Sequence, residues 1–590
     1  MNLRSRLLLS ATAAVCAALL GAPTAGANAA PAPSAQSSTA LSSVSGQKWV
    51  RVQHDCAAPT TGRLACLAEH LVPAAAGSMG AKRVNAATYT TGPAGGYTPA
   101  DLAAAYGFNP SVGGAGQTVA IVDAFDDPHA LSDLNHFNLH YGIAAETTTS
   151  FRKVNQLGAA VTAGHPQPSY GWAGEISLDI EAVRAVCRKC RILLVEANSD
   201  QGADLAASVN MAVKLGATEV SNSYGGPESM ADTSFAGAFN HPGVVVTAST
   251  GDAGWYDWDN ANQTGGSSDD MPNVPAALST VVAVGGTTLR LNTAGARSSE
   301  VVWDGDGPED LGVASGASGG GCSLRFSAPP WQRTAANYAR TGCGTKRQAG
   351  DVAAVADPYT GFDVYNTYGT DPTSPWARTG GTSLSSPLVA AMWALAGGAG
   401  GVHYPTQSLY ENFRYNHTRL YDVVSGGNGF CGGDTLPTCS LVVKNAYQEP
   451  SGNPNMLGAG HIDCGFAASG SSYVTNHNQC DAAVGYDGPS GVGAPATSSA
   501  FKSSRLIVAI KAPAVRVHLS ATFATTLSEP IVGAHATKYV WTWGDTTTTT
   551  TTATSAAHVF ATIGTYAVGV TVTDSLGRTA HASVAVAVTK

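Results

Sequence analysis

The chain has 590 residues, enough for one large domain with accessories. Its 32 Lys+Arg against 41 Asp+Glu give a net charge of -9, with no basic block to neutralise phosphates, which argues against nucleic acid as a partner. Charged residues make up only 12% against 44% apolar, which excludes charge-driven disorder. So few charges also leave little self-repulsion to build up when carboxylates are protonated, a composition that tolerates acid.

In chain order, residues 1–29 have the form of a secretory signal. Arg4 and Arg6 precede an apolar run at 7–20, and Ala27-Asn28-Ala29 is a small-residue cleavage site, so the mature chain is expected to begin near Ala30. The run is too short to span a bilayer comfortably, and no later stretch reaches about 20 apolar residues. An exported, extracellular protein with no membrane anchor is expected, as a monomer. Cys16 leaves with the signal, and ten cysteines remain: Cys56, Cys66, Cys187, Cys190, Cys322, Cys343, Cys431, Cys439, Cys464 and Cys480. An even count in an exported chain favours disulfides, including the Cys187-Arg-Lys-Cys190 pair, for which no zinc-spaced partner follows. Residues 30–96 comprise a Pro/Ala/Ser/Gln-rich linker and a small segment holding Cys56 and Cys66.

From residue 97 short apolar runs alternate with helical stretches. The runs 118–123 (TVAIVD), 192–196 (ILLVE), 219–222 (EVSN), 244–248 (VVVTA) and 281–285 (VVAVG) suit strands buried on both faces. Helices are predicted at 175–186, 204–215 and 385–396. The alternation implies an α/β domain over 97–495 with a doubly wound parallel sheet, whose active groups sit at the carboxyl ends of the strands. A Ser/Ala/Pro linker at 496–504 then leads to residues 505–590, where period-two strands such as TYAVGVTV and SVAVAV predict a small antiparallel β-sandwich. The run 546–552, all threonine, is expected to be a loop.

Three local signals could carry chemistry. In GGTSLSSP at 380–387, glycines precede Ser383 at a helix start, where the dipole favours developing negative charge; an ordinary N-cap is the bland alternative. In GEISLDI at 174–180, Glu175 and Asp179 share one helix face and can hold a proton between them, although a solvated helix face would look the same. In STGDAG at 249–254, Asp252 follows a buried strand; protonated, it could donate to an oxyanion, or it could merely cap a turn.

Taken together and in this order, the three closely resemble the sedolisin family of serine-carboxyl peptidases. YTPADL at 97–102, VAIVDA at 119–124 and GYDGPSGVG at 485–493 resemble the start, first core strand and end of that catalytic domain. The resemblance spans about 97–495. It implies a subtilisin-like fold and an acid-acting endopeptidase, with Ser383 as nucleophile, Glu175 as general base, Asp179 as its tuning partner and Asp252 in the oxyanion hole. A glutamate in place of the usual histidine, and an Asp252 that must carry a proton to donate, both push the optimum to low pH. The family's calcium site maps onto Asp422, the Val423 carbonyl, the Ala483 and Gly485 carbonyls and Asp487, a hard-oxygen set.

Two departures stand out. Family members are usually made with a large folded prosegment, for which the stretch before Tyr97 is too short, and an insertion occupies about 441–478. The shorter family pattern implies pairing of Cys431 with Cys480 and Cys439 with Cys464. At the other end, residues 539–545 (YVWTWGD), His558-Val559-Phe560 and Val572-Thr573-Asp574 resemble a PKD domain, with its aromatics expected in the core rather than on a binding face. A subtilisin-type triad through Asp123 is disfavoured, because His129, His136 and His140 lack that family's histidine context. A secreted binding protein with a silent peptidase domain, and release of tripeptides by an active one, stand as the alternatives. Protein or peptide substrates are the expected partners.

Overall fold

The computed structural model describes residues 48–75, 82–84, 92–162, 165–228, 231, 233–255, 272–304, 316–368, 374–428, 477–531 and 533–590. The signal, residues 441–476 of the insertion, Cys431, Cys439 and Cys464 lie outside these residues. Within them, the central sheet runs in the order Arg297–Val302, Val282–Leu291, Val245–Ser249, Glu219–Asn222, Thr118–Ala124, Arg191–Ala197, Phe151–Asn155, with Val352–Val355 also on Val282–Leu291. All neighbours are parallel except Arg297–Val302, an antiparallel edge.

The strand Thr118–Ala124 shows why the apolar runs are continuous. Val119 and Ile121 face one layer together with Ile176, Ile180, Leu388 and Val389, while Ala120 and Val122 face the other together with Leu205, Val209 and Ala212. Because successive side chains alternate between faces, a strand covered on both must be apolar at every position. The first layer holds the acidic helix Tyr170–Val186 and the serine helix Thr382–Ala396, and the second holds Gly202–Lys214. The observed strands and helices overlap the predicted ones, but the acidic helix starts at Tyr170 rather than 175, the serine helix at Thr382 rather than 385, and the strand expected to end at 285 runs on to Leu291.

The small segment before residue 96 is part of this body. Lys48–His54 and Glu69–Pro73 pair antiparallel, and Glu69–Pro73 continues onto Trp376–Gly380, which leads directly into the serine helix. Disulfides join Cys56 to Cys66, Cys187 to Cys190 and Cys322 to Cys343. Cys480 is also disulfide-bonded, to a partner outside the described residues.

Residues 505–590 fold as two β-sheets, of three and five strands. Trp541 and Trp543 are fully buried and stacked at 5.4 Å, with Phe523 and Phe560 around them, so the aromatics build the core, as expected. The threonine run departs from the loop expected of it. Thr548–Thr551 is a strand paired with Ala536–Thr542, because β-branched residues favour extended backbone, and Thr549 Oγ1 accepts a hydrogen bond from the Trp543 indole at 2.9 Å. The 496–504 stretch is packed down rather than loose: Phe501 is fully buried against Trp393, and the Ala500 and Lys502 carbonyls accept from the Asn412 amide.

Beneath the sheet, fully buried Arg347 forks onto Asp351, which also accepts from Ala283 N at 2.8 Å and Tyr410 Oη at 2.7 Å. Removing one partner of such a pair strands a buried charge. Arg347→Ala is therefore expected to cost about 3–5 kcal/mol, read as a lowered denaturant midpoint or loss of folded protein.

Candidate active site

The three signals converge at the carboxyl ends of the central strands. Gly381 caps the serine helix with φ 89°, a left-handed backbone that favours glycine, and Ser383 follows two residues later in the first turn. Pro387 lies inside this helix and has no N–H to offer Ser383 O, which instead faces the Ser223 hydroxyl at 3.4 Å. Strand-end groups hold the helix start in place. Ser249 Oγ donates to Thr382 O at 2.8 Å, and Asp252 Oδ1 accepts from Thr382 N at 2.7 Å and Thr382 Oγ1 at 2.6 Å.

Ser383 Oγ donates to Glu175 Oε2 at 2.9 Å, with Ser223 O a second acceptor at 3.2 Å. Behind Glu175, one turn along the acidic helix, Asp179 lies near enough for its charge to act on Glu175, and it accepts from Ser223 Oγ at 2.7 Å. Ser383, Glu175 and Asp179 are fully buried and Asp252 is nearly so.

A fourth carboxyl was missed as a member of this group. Asp123, at the end of Thr118–Ala124, is fully buried, and neither of its oxygens has a hydrogen-bond partner. Burial pushes it up to about 8. Burial also raises Glu175 well above the carboxylate range, with the nearby charges of Asp179 and then Asp123 adding to it, and Asp179 is raised by burial and then by Asp123. Carboxyls crowded in a dry site cannot all ionise, so protons stay on the group at pH values where free carboxylates have none. The sequence signal for Asp123 was its place at a strand end in VAIVD, which spoke equally for a different kind of triad.

Residues 157–400 match the subtilase family and residues 507–588 the PKD domain. The chain carries a subtilase-like peptidase domain homologous to the sedolisins, followed by a PKD domain. It is 30% identical over 367 residues to sedolisin of Pseudomonas sp. (strain 101), covering 60% of this chain and 59% of that protein. It is 34% identical over 354 residues to kumamolisin of Bacillus sp. (strain MN-32), covering 56% of this chain and 57% of that one. The match thus spans little more than half the length of these relatives. A solved structure of Pseudomonas sedolisin, a serine-carboxyl proteinase complexed with two molecules of pseudo-iodotyrostatin, aligns with TM-score 0.52 at 24% identity over 69% of this chain and 96% of that one, which establishes a shared fold. Among the described residues no helix is long and apolar enough to cross a membrane.

The residues expected to hold calcium also meet. Asp422 accepts from Gly485 N at 3.0 Å, and buried Asp487 accepts from Ala483 N at 2.9 Å and from Ser490 N and Oγ at 2.9 and 2.8 Å. Val423, next to Asp422 in the chain, is fully buried. Burial, with a smaller push from Asp422, raises Asp487 to about 8, and burial raises Asp422. Two carboxylates, of which Asp422 discourages the ionisation of Asp487, are the hard-oxygen donors that a divalent cation takes. Among the described residues no cluster of three His, Cys, Asp or Glu could hold a metal, so such a cation would depend on the backbone oxygens as well.

The carboxyl cluster sets the pH dependence of stability. For Asp123 the folded value of about 8 lies above its ordinary 3.8, so the stability linked to its proton is full below about 3.8 and is lost as pH rises through about 8. The melting temperature is expected to fall as pH is raised from 4 to 8, and the slope to be shallower in Asp123→Asn, as read by thermal unfolding across that range.

Proposed function

We propose that this chain is an exported serine-carboxyl endopeptidase that hydrolyses protein or peptide substrates at acidic pH. The observation that carries this reading is the Ser383 Oγ to Glu175 Oε2 hydrogen bond at 2.9 Å, backed by Asp179. Ser383 attacks the scissile carbonyl and gives its proton to Glu175. Glu175 later returns a proton to the leaving amine, and Asp179 orients it and shares its proton. The positive end of the serine helix favours the charge that develops at Ser383. Asp252, fixed through Oδ1 by Thr382, offers Oδ2 to the oxyanion and needs a proton there to donate. As pH rises the buried Glu175–Asp179 pair loses its shared proton, so turnover fades on the alkaline side.

Calcium would be held by Asp422, Asp487 and the carbonyls of Val423, Ala483 and Gly485. When bound there it would neutralise two crowded carboxylates and tie the 483–487 turn to the segment after Tyr421. In the reaction itself, every step above belongs to the chain's own side chains.

The test is hydrolysis of a denatured protein between pH 2.5 and 8 by the purified chain. Activity is expected only on the acidic side, with Ser383→Ala and Glu175→Gln each reducing it by at least about a thousandfold. Folded chain without activity at any pH, calcium included, would overturn the reading in favour of a binding protein. Calcium is expected to raise the melting temperature and a chelator to lower it. Asp487→Asn should remove most of that difference.

A further inference from the structure

Ser223 meets the catalytic group through two different atoms. It lies between the strands Glu219–Asn222 and Tyr224–Pro227 and is fully buried. Its carbonyl oxygen is the second acceptor for Ser383 Oγ, at 3.2 Å, and also accepts from Leu67 N at 3.3 Å. Leu67 belongs to a segment that passes the serine, with Ala65 and Cys66 paired to Gly225 and Tyr224, and Glu69 and His70 to Gly380 and Thr379. The hydroxyl of Ser223 reaches the carboxyl pair instead, donating to Asp179 Oδ2 at 2.7 Å.

A second acceptor lies within reach of that hydroxyl. Ser383 O is 3.4 Å away, and it is left over because Pro387, four residues on, has no N–H to close the helical bond. A hydroxyl has one proton to give and two lone pairs with which to receive. While Asp179 is a carboxylate, the Ser223 proton points to Oδ2. When Asp179 carries a proton on Oδ2, that proton is donated to Ser223 Oγ, and the Ser223 proton turns to Ser383 O. Oδ2 is therefore paired in both protonation states of Asp179. The backbone on either side is pinned, because Asn222 Nδ2 donates to Thr247 O at 2.8 Å and Tyr224 Oη donates to Asn222 Oδ1 at 2.7 Å. Rotation about the Cβ–Oγ bond of Ser223 is all that the exchange needs.

The groups around Asp179 are acids. Glu175 stands one turn back on the same helix, Asp123 faces the pair from the strand Thr118–Ala124, and Asp55 acts on Glu175 from the segment before residue 96. Tyr224, on which Asp123 also acts, gives its hydroxyl proton to Asn222. Burial and the Asp123 charge favour the protonated form of Asp179, whereas the Ser223 hydrogen bond favours the carboxylate.

We propose that Ser223 is a positioning residue of the peptidase, whose hydroxyl orients the Asp179 carboxyl and follows its proton by turning between Asp179 Oδ2 and Ser383 O. The proposal rests on the peptidase reading above. It adds the group that lets Asp179 gain and lose a proton while Glu175 accepts from Ser383 and returns a proton to the leaving amine. Ser223 acts through Asp179, and no atom of it is consumed.

Ser223→Ala, Ser223→Cys and Ser223→Thr would be compared with the wild type between pH 2.5 and 8, on an internally quenched peptide copied from a site that the wild type cuts in a denatured protein. Loss of the hydroxyl is expected to lower kcat about tenfold or more, with KM changed by less than about twofold. Because the lost bond favoured the carboxylate, the pair keeps its proton to higher pH, and the alkaline limb of kcat is expected to move up by about one unit. Ser223→Thr, which keeps a hydroxyl, is expected to restore both, and Ser223→Cys, close in shape but a weak donor, to fall between. The same shift is expected without turnover: in a Ser383→Ala background, infrared bands of protonated carboxyls should titrate away about one pH unit higher once Ser223→Ala is added. An alkaline limb that stays in place in Ser223→Ala, or in Ser223→Cys should the alanine variant not fold, would overturn this inference alone and leave the peptidase reading standing. So would an equal loss in Ser223→Thr and Ser223→Ala, or an effect confined to KM. A wild type that cuts no protein or peptide would overturn both.

Discussion

Carboxyl groups gathered in a dry pocket govern most of what surrounds them. Asp123, Glu175 and Asp179 are fully buried at the carboxyl end of the sheet, with Asp252 nearly so beside them, and they cannot all be charged at once. Three elements place them: a strand end, one helix face for the central pair, and the turn after Val245–Ser249. The hydroxyls nearby settle which oxygens are satisfied. Ser383 takes Glu175 Oε2, Ser223 takes Asp179 Oδ2 and Thr382 takes Asp252 Oδ1. Sharing protons in this way suits the acidic action proposed for the site, and the low charge density of the whole chain fits the same conditions.

The second constraint is the occupied cleft. A strand crossing an active site must find backbone partners on both sides of the serine, and residues 65–70 find them in Gly225, Tyr224, Gly380 and Thr379. The glycines at 171, 174 and 381 read differently in this light. Gly381 makes room for Leu67 O and Asp252 Oδ2, whereas Gly171 and Gly174 let Asp55 lie against a helix that alanine would otherwise favour.

The sheet was legible because burial on both faces leaves an unmistakable apolar run, as in VAIVDA. The Ser383, Glu175, Asp179 and Asp252 positions were legible because each sits in a short motif at a strand or helix end. The five-residue shift at the start of the acidic helix follows from Gly171 and Gly174, which look like breakers until Asp55 is seen beside them. Asp123 and Leu67 were not legible as parts of the site. Their roles come from pairing across long sequence separations: Leu67 meets Glu175 from 108 residues away. The threonine strand and the packed 496–504 stretch escaped for the same reason, since cross-strand partners and a buried Phe501 override local composition.

The most direct test of the shared-proton cluster is infrared difference spectroscopy of carboxyl groups in the folded chain as pH is raised from 3 to 9, for the wild type, Glu175→Gln and Asp123→Asn. Protonated carboxyl bands that persist near neutral pH in the wild type and diminish in each variant are expected. Bands that titrate away completely by about pH 5, where ordinary carboxylates are ionised, would contradict a cluster held protonated by burial.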